Sequence, residues 1–429
     1  MRALPRITIT VHDQREGARI PGRRWAWALP CIILLVFGAA WRVPTFHVAN
    51  YLQFASGRLA YSDVLGFHGG AIASLHHLPY LQENIEYPVL TGFTVWVTGF
   101  APGVEGYFAA NAVVLCGCLS VCFVLLARLR SRLARYAIAP GLAMYGVLNW
   151  DALAILGLVA TVYCTRRGRF GWAGMWLAMG ASAKLFPAFV LPALLAGTLR
   201  QLEPGTTAAD TGRRARVPSS TLRVLAGFTG VTLLLNAPVA VLNWRGWSYF
   251  LVFQSQRGIN LDAIWAHVPG ISAHRAGVLF DVLFAIGVLW ITWTVWRCGQ
   301  WEVGALLSLL VFLLFTRDYS PQYDLWILPF LALLACPFAL WLIFVLADFT
   351  YYGATFLFYF IYTGGQIGVS VNRASDLVAL AVWGREVALA LLFIWGSTQL
   401  LGITLPFVWQ APVRRLRASD PAYPPLDAA

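Results

Sequence analysis

The chain has 429 residues, of which 59% are hydrophobic and only 12% charged, whereas soluble domains carry about 25% charged and about 45–50% apolar residues. So little charge cannot keep a surface of this size hydrated, which excludes a soluble enzyme and makes the bilayer the solvent. The formal net charge of +12 does not point to nucleic acid, because the basic residues cluster in linkers between apolar runs, where they read as cytoplasmic loops.

Residues 1–24 are basic and polar and read as a cytoplasmic tail, followed by a first span from Trp25 to Trp41. Gly38-Ala39-Ala40 resembles a signal-peptidase site, but the spans that follow favour an uncleaved anchor. From Arg42 to Glu105 the chain turns mixed, rich in His, Asp, Glu, Tyr and Pro. This stretch, 42–105, reads as one large external loop; its single apolar piece, Val89 to Phe100, is too short to span and fits an interfacial helix.

A full-length span from Tyr107 to Ala127 ends at the basic cluster Arg128 to Arg135, which assigns that end to the cytoplasm. Four short apolar pieces follow, near 136–148, 151–165, 170–183 and 185–199. Basic loops separate them alternately with the polar breaks Asn149-Trp150-Asp151 and Lys184. Both breaks then fall on the external side, so polar helix ends converge beneath the large loop and imply a cavity.

Residues 200–222 form a polar cytoplasmic linker. Further spans are expected near 223–242, 276–296, 302–316, 325–336, 338–362 and 378–402, and 403–429 is a second cytoplasmic tail. The expectation is an all-α polytopic membrane protein with about twelve transmembrane helices and both termini cytoplasmic, the membrane domain running over 25–402.

Several cations break the positive-inside pattern: Arg42, Arg58, Lys184, Arg245, Arg257, Arg275, Arg317, Arg373 and Arg385. Each needs a partner such as a carboxylate, a lipid head group or a phosphate. The seven cysteines lie in or beside apolar segments with no CxxC pair, which argues against a disulfide framework or zinc site. His47, His68, His76, His77, His267 and His274 lack ligand spacing, and there is no Walker A, GxGxxG or GxSxG signature. No cofactor is therefore expected, and a divalent cation is not indicated.

Chemistry-bearing residues collect at the breaks. Asp63, Glu83 and Glu86 in the external loop can act as a base, a metal ligand or solvated charges. Lys184, the only lysine, suits a phosphate oxygen or a snorkelling helix end. Asn149 and Asp151 fit a helix cap or a sugar contact. Within Arg317-Asp318-Tyr319-Ser320-Pro321-Gln322-Tyr323, Arg317 can pair with Asp318 or hold an anion. Trp96, Trp150, Tyr323 and Trp326 can stack on a sugar or form an interfacial belt.

Four stretches in this order resemble a known family: Tyr61-Ser62-Asp63-Val64 with Glu86-Tyr87-Pro88-Val89-Leu90-Thr91-Gly92; Asn149-Trp150-Asp151-Ala152-Leu153-Ala154; Ala183-Lys184-Leu185-Phe186-Pro187-Ala188; and Ser320-Pro321-Gln322-Tyr323-Asp324-Leu325-Trp326. Together they resemble the GT-C superfamily of membrane glycosyltransferases, and within it glycosyltransferase family 87, the bacterial polyprenyl-phosphate-mannose-dependent mannosyltransferases. The resemblance implies a GT-C-like fold in the bacterial cell membrane, a polyprenyl-phosphate mannose donor and a lipid or glycan acceptor. It also implies catalysis on the external face by an acidic residue of the first loop, which maps onto Asp63 with Glu86 as fallback. A displacement with one base inverts the anomeric centre. Lys184, with Arg317 or Arg257, would neutralise the departing phosphate, and Asn149, Asp151, Gln322 and Tyr323 would line the substrate site.

A secondary transporter or lipid flippase is the alternative expectation. It would use ionisable residues inside spans, for which Asp281, Asp348, Arg385 and Glu386 are the candidates, although no half-repeat is visible.

Overall fold

A computed structural model describes residues 22–129, 131–200 and 217–403. Among these residues the architecture is helical throughout, and the only extended pairing is an isolated bridge between Pro79 and Glu83. In chain order the helices are α1 (Gly22–Trp25), α2 (Ala28–Ala40), α3 (Tyr51–Gly57), α4 (Asp63–Phe67), α5 (Ala71–Ser74), α6 (Val89–Thr98), α7 (Gly103–Arg128), α8 (Leu133–Ala137), α9 (Gly141–Tyr145) and α10 (Asp151–Arg166). They continue with α11 (Phe170–Ala183), α12 (Leu191–Arg200), α13 (Ser219–Leu242), α14 (Trp244–Gln256), α15 (Ala273–Cys298), α16 (Trp301–Phe315), α17 (Leu328–Leu333), α18 (Phe338–Tyr362) and α19 (Val371–Leu401).

Among the described residues six segments are long and apolar enough to cross a membrane: Ala28–Thr45, α7, α13, α15, α18 and α19. Their outer faces carry large apolar side chains such as Leu234 (71% exposed), Val241 (84%) and Leu289 (70%), a surface that lipid, not water, accommodates. The other segments read as spans are shorter. The piece at 136–148 divides into α8 and α9, broken at Pro140, and 185–199 divides into a 3-10 turn at Phe186–Val190 and α12. Likewise 325–336 resolves into a 3-10 turn, Pro321–Trp326, followed by the six-residue α17. Proline explains each break, since it lacks an N–H and restrains the residue before it.

Local sequence sets the ends of the long helices. α7 carries Glu105 in its first turn and Arg128 in its last, charges that complement the helix dipole. α15 and α19 both close on glycines in the left-handed region, Gly299 (φ 81°) and Gly402 (φ 68°), where a side chain would be strained. α19 is capped by the Ser370 hydroxyl, which accepts from the Arg373 N–H.

Glycine also brings helices together. A Cβ on Gly174 of α11 would stand 2.1 Å from the Val224 carbonyl of α13, one on Gly227 of α13 2.2 Å from the Gly171 carbonyl, and one on Gly157 of α10 2.6 Å from Gly180 Cα. Lipid tails give helices no hydrophobic reason to associate, so this backbone proximity supplies the packing. It fixes α10, α11 and α13 as one unit.

Residues 41–102 fold over one end of this bundle. α3 lies against α18, while α6 lies against α7, α11 and α13. The start of α10, the end of α11 and the start of α14 meet that cap, through hydrogen bonds of Asn149 with Asp63, Thr91 with the Ala183 carbonyl and Asn243 with the Tyr80 carbonyl. At the opposite end Arg166 forms a two-pronged ion pair with Glu302, at 2.6 Å for both contacts.

Candidate active site

The segment 61–63 is extended at Ser62 (φ −151°, ψ 125°), so Tyr61 and Asp63 project on the same side. It is stapled to the break before α10. The Asp63 N–H donates to the Leu148 carbonyl at 2.8 Å and the Ser62 hydroxyl to the Val147 carbonyl at 2.6 Å. Arg42 secures the segment from beneath: its fully buried guanidinium donates to the carbonyls of Tyr61, Gly38, Ala143 and Met144. The expected acidic or phosphate partner of Arg42 is thus replaced by four backbone oxygens.

Asp63 is consequently held by two donors. The Tyr61 hydroxyl donates to Oδ1 at 2.8 Å and the Asn149 amide to Oδ2 at 2.7 Å. The same Asn149 Nδ2 also donates to the Tyr87 hydroxyl at 2.8 Å, and Asn149 Oδ1 accepts from the Trp150 N–H. Asn149 is therefore spent on orienting Asp63 and Tyr87. Burial pushes the half-buried Asp63 carboxyl above the usual carboxylate range, opposed by the hydrogen bonds from Asn149 and Tyr61 and by the charge of Lys184.

Asp151 opens α10 without capping it; the residue at the cap position is Trp150, with no side-chain cap bond. The capping role expected of Asn149 and Asp151 is absent because both side chains are engaged elsewhere. Asp151 Oδ2 receives Lys184 Nζ at 2.6 Å, and Oδ1 accepts from Trp326 Nε1 at 2.5 Å. Lys184 lies just past the end of α11, its Nζ 5.2 Å from the Tyr323 ring and 5.9 Å from the Tyr87 ring. Trp326 stacks on Phe186 at 3.8 Å and Tyr323 packs on Trp326 at 4.2 Å. One aromatic wall therefore runs beneath the only lysine, and Gln322 is buried beside it.

The second cationic group differs from its expected pairing. Asp318 pairs with Arg257, Nη1 to Oδ2 at 2.6 Å, and Asn260 donates to Oδ1 at 3.0 Å. Arg317 instead donates to the Ser255 carbonyl at 2.7 Å, which satisfies the end of α14 where the last carbonyls lack helical partners. Burial raises Asp318 above the usual range, opposed first by Arg257.

Glu86 joins these parts. It is half-buried and makes no hydrogen bond or ion pair among the described residues. Burial raises its carboxyl, and it senses in turn the charges of Arg257, Asp63, Lys184 and Asp318. The structure thus brings Asp63, Glu86, Asn149, Asp151, Lys184, Arg257 and Tyr323 into one electrostatic neighbourhood, with Arg317 at its edge holding α14. Tyr61, Tyr87, Trp326 and Asp318 belong to it as well. Tyr61 was detectable from its position two residues before Asp63 in extended chain; Asn260 left no signal.

Chemically, the site offers an oriented carboxylate, an unpartnered second carboxylate, two cations and an aromatic wall. Among the described residues no three His, Cys, Asp or Glu side chains gather as a metal-ligating group. His47 pairs with Glu105 and His77 approaches Glu83 at 3.8 Å, both near the surface. Comparison of the chain with protein-family models and with curated protein sequences returned no match.

Proposed function

We propose that the chain is a GT-C-type membrane glycosyltransferase with about twelve membrane segments, resembling glycosyltransferase family 87. It moves a hexose, mannose by the resemblance, from a polyprenyl-phosphate donor to a lipid or glycan acceptor at the external face of a bacterial cell membrane, with both termini cytoplasmic. The observation that carries this reading is Asp63, a carboxylate oriented by two donors and set among Lys184 and Arg257.

A sugar phosphate already carries a good leaving group, so the demands on the protein are a base for the acceptor hydroxyl and positive charge for the departing phosphate. Asp63 takes the proton. Both its oxygens keep a lone pair beyond the bonds from Tyr61 and Asn149, so the acceptor O–H can still donate to it. Lys184 retains two N–H donors beyond Asp151 and delivers them to the phosphate, while Asp151 and the ring of Tyr323 fix its position. A single displacement inverts the anomeric carbon, so a β-linked donor gives an α-linked product. The decisive experiment is transfer of labelled mannose from polyprenyl-phosphate mannose by the reconstituted protein, with product anomer read by NMR. A retained anomer, or transfer undiminished in Asp63→Asn, would overturn the assignment.

A transporter or flippase reading has one specific observation in its favour. Arg385, fully buried in α19, pairs with Glu386 at 2.7 Å and lies 3.5 Å over the Tyr319 ring and 4.3 Å over the Tyr351 ring. Asp324 accepts from Tyr319 at 2.6 Å and Asp348 accepts from Tyr145 close by. Asp281, by contrast, is exposed on α15. Buried ionisable residues within spans serve ion pathways in transporters. Proton-coupled flux into vesicles, abolished by Asp348→Asn while sugar transfer is absent from the wild type, would favour that reading.

A further inference from the structure

A cavity of about 530 Å³ opens where the turn after α2 leads into α3 and where α18 ends; it is lined by Val48, Ala49, Asn50, Gln53, Phe54, Gly57, Arg58 and Phe360. Its volume lies within the range of small-ligand sites. It shares no residue with the Asp63 site, to which Tyr51 of α3 is linked by its ring contact with Tyr61 at 5.7 Å and by hydrogen bonds of its hydroxyl with the Ser62 backbone at 2.8 Å.

Its construction is specific. Phe360 is caged by two glycines: a Cβ on Gly57 would stand 2.8 Å from the ring and one on Gly365 2.4 Å from it. The guanidinium of Arg58 lies over the Phe54 ring at 3.7 Å, which fixes the plane of the cation. Among the described residues Arg58 has no ion pair and no side-chain hydrogen bond, nor do Asn50 or Gln53 have a side-chain hydrogen bond. The residue at the cap position of α3 is Asn50, yet its side chain makes no cap bond. Three polar side chains with unused donors therefore face one cavity, and the charge among them is positive.

Two segments long and apolar enough to cross a membrane, Ala28–Thr45 and α18, end close to the cavity in the chain, which on that reading puts it near a membrane boundary. Exposed apolar side chains neighbour its lining residues in the chain: Leu52 (39%) before Gln53, Tyr362 (66%) two residues after Phe360, and Val43 (53%) in the turn after α2. Positive charge and amide donors at the rim of a bilayer, with apolar surface alongside, suit a phosphate whose ester carries acyl chains.

We propose that this cavity binds the phosphodiester head group of an anionic phospholipid, with Arg58 on the phosphate, Asn50 and Gln53 on the head-group hydroxyls, and the acyl chains along Val43, Leu52 and Tyr362. The site is independent of the transfer reaction.

Native mass spectrometry in neutral detergent tests it, with phosphatidylglycerol and phosphatidylcholine of identical chains offered to wild type, Arg58→Ala, Arg58→Lys and Ala49→Trp. Wild type should retain phosphatidylglycerol about fivefold over phosphatidylcholine, the scale of one surface cation on an anionic lipid. Arg58→Ala should erase that preference and Arg58→Lys should keep part of it. Ala49→Trp, which fills the cavity and leaves the cation, should lose it too. Melting curves without added lipid should coincide for all four proteins, since Arg58 and Ala49 are exposed. An unchanged preference in Arg58→Ala overturns the proposal. So does retention of soluble glycerol phosphate as strong as that of phosphatidylglycerol, which would make the ligand a free phosphate ester.

Discussion

Lys184 bonds to Asp151 at 2.6 Å across the junction of α11 and α10, and the two partners differ in their access to solvent: Asp151 is fully buried, whereas the lysine side chain is 15% exposed. That asymmetry decides what each deletion costs. Lys184→Met strands a buried carboxylate with only the Trp326 indole as donor, and unpaired buried charges cost about 3–5 kcal/mol. Asp151→Asn leaves a lysine that can still reach water. Thermal melting in detergent should therefore show the larger loss for Lys184→Met, and the double variant should be less destabilised than the sum of the two. Equal losses would mean that the pair is not insulated as described.

Asp63→Asn should leave the fold intact and stop transfer. The asparagine can present its oxygen to Asn149 and its amide to Tyr61, whose hydroxyl can turn to accept, so both bonds to the position survive. Only the ability to take a proton is lost, and general-base catalysis of this kind contributes about 10²–10⁴-fold. Initial rates should drop by that factor with melting temperature unchanged. If the rate holds, Glu86→Gln becomes the variant to measure, because Glu86 is the nearby carboxylate without a hydrogen-bond partner.

The pH profile has a definite direction. In the proposed reaction transfer requires ionised Asp63, whose pKa burial holds above the ordinary value of about 3.9, so the acid limb of the rate profile should fall at correspondingly higher pH. Asn149→Ala removes a hydrogen bond that favours the charged form, raises the pKa further and should move the acid limb up again. Stability runs the other way: a carboxyl raised in the folded state contributes stability fully present below its unfolded pKa and lost as pH rises through the folded value. Activity should thus rise with pH where this contribution to stability declines. A limb that Asn149→Ala leaves in place would remove Asp63 as its source.

Much of this was legible in the sequence, and the reason is the bilayer. Membrane segments must satisfy their own backbone, so α7, α13 and α18 could be read within a few residues from hydropathy alone. The polar breaks at Asn149–Asp151 and Lys184 were equally visible, and they do meet beneath the 41–102 cap. The partners chosen there were not visible. Arg257 takes Asp318 in place of Arg317, and Arg42 takes four carbonyls, because such choices depend on which loop ends come together in space. The division of 136–148 at Pro140 was written in the sequence, but an apolar run masks a break that only neighbouring helices make tolerable.

Glycines of the α11–α13 contact should separate sharply in their tolerance of alanine. Gly174→Ala places a methyl against the Val224 carbonyl at 2.1 Å, and overpacking of this kind costs about 1–3 kcal/mol. Gly230, also on α13, has open space at its Cβ position, so Gly230→Ala should be neutral or should gain about 0.5–1 kcal/mol from helix propensity. Melting temperatures of the two variants in one detergent check this; similar values would show that the close approach at Gly174 relaxes freely.

The separation of Asp151 from Lys184 along the chain is 33 residues, and this sets an order of events during biosynthesis. At about 5–20 residues per second the ribosome adds Asp151 roughly 2–7 s before the lysine is made. Throughout that interval the carboxylate at the head of α10 has no counter-ion of its own. Arrival of α11 removes that obstacle, so α10 and α11 settle as a hairpin, with Gly157 and Gly180 closing between them. On this argument loss of the ion pair weighs on insertion as well as on the mature site, and Lys184→Met is expected to reveal itself first as slowly inserted or degraded chains in a pulse-chase experiment, before any loss of turnover is measured.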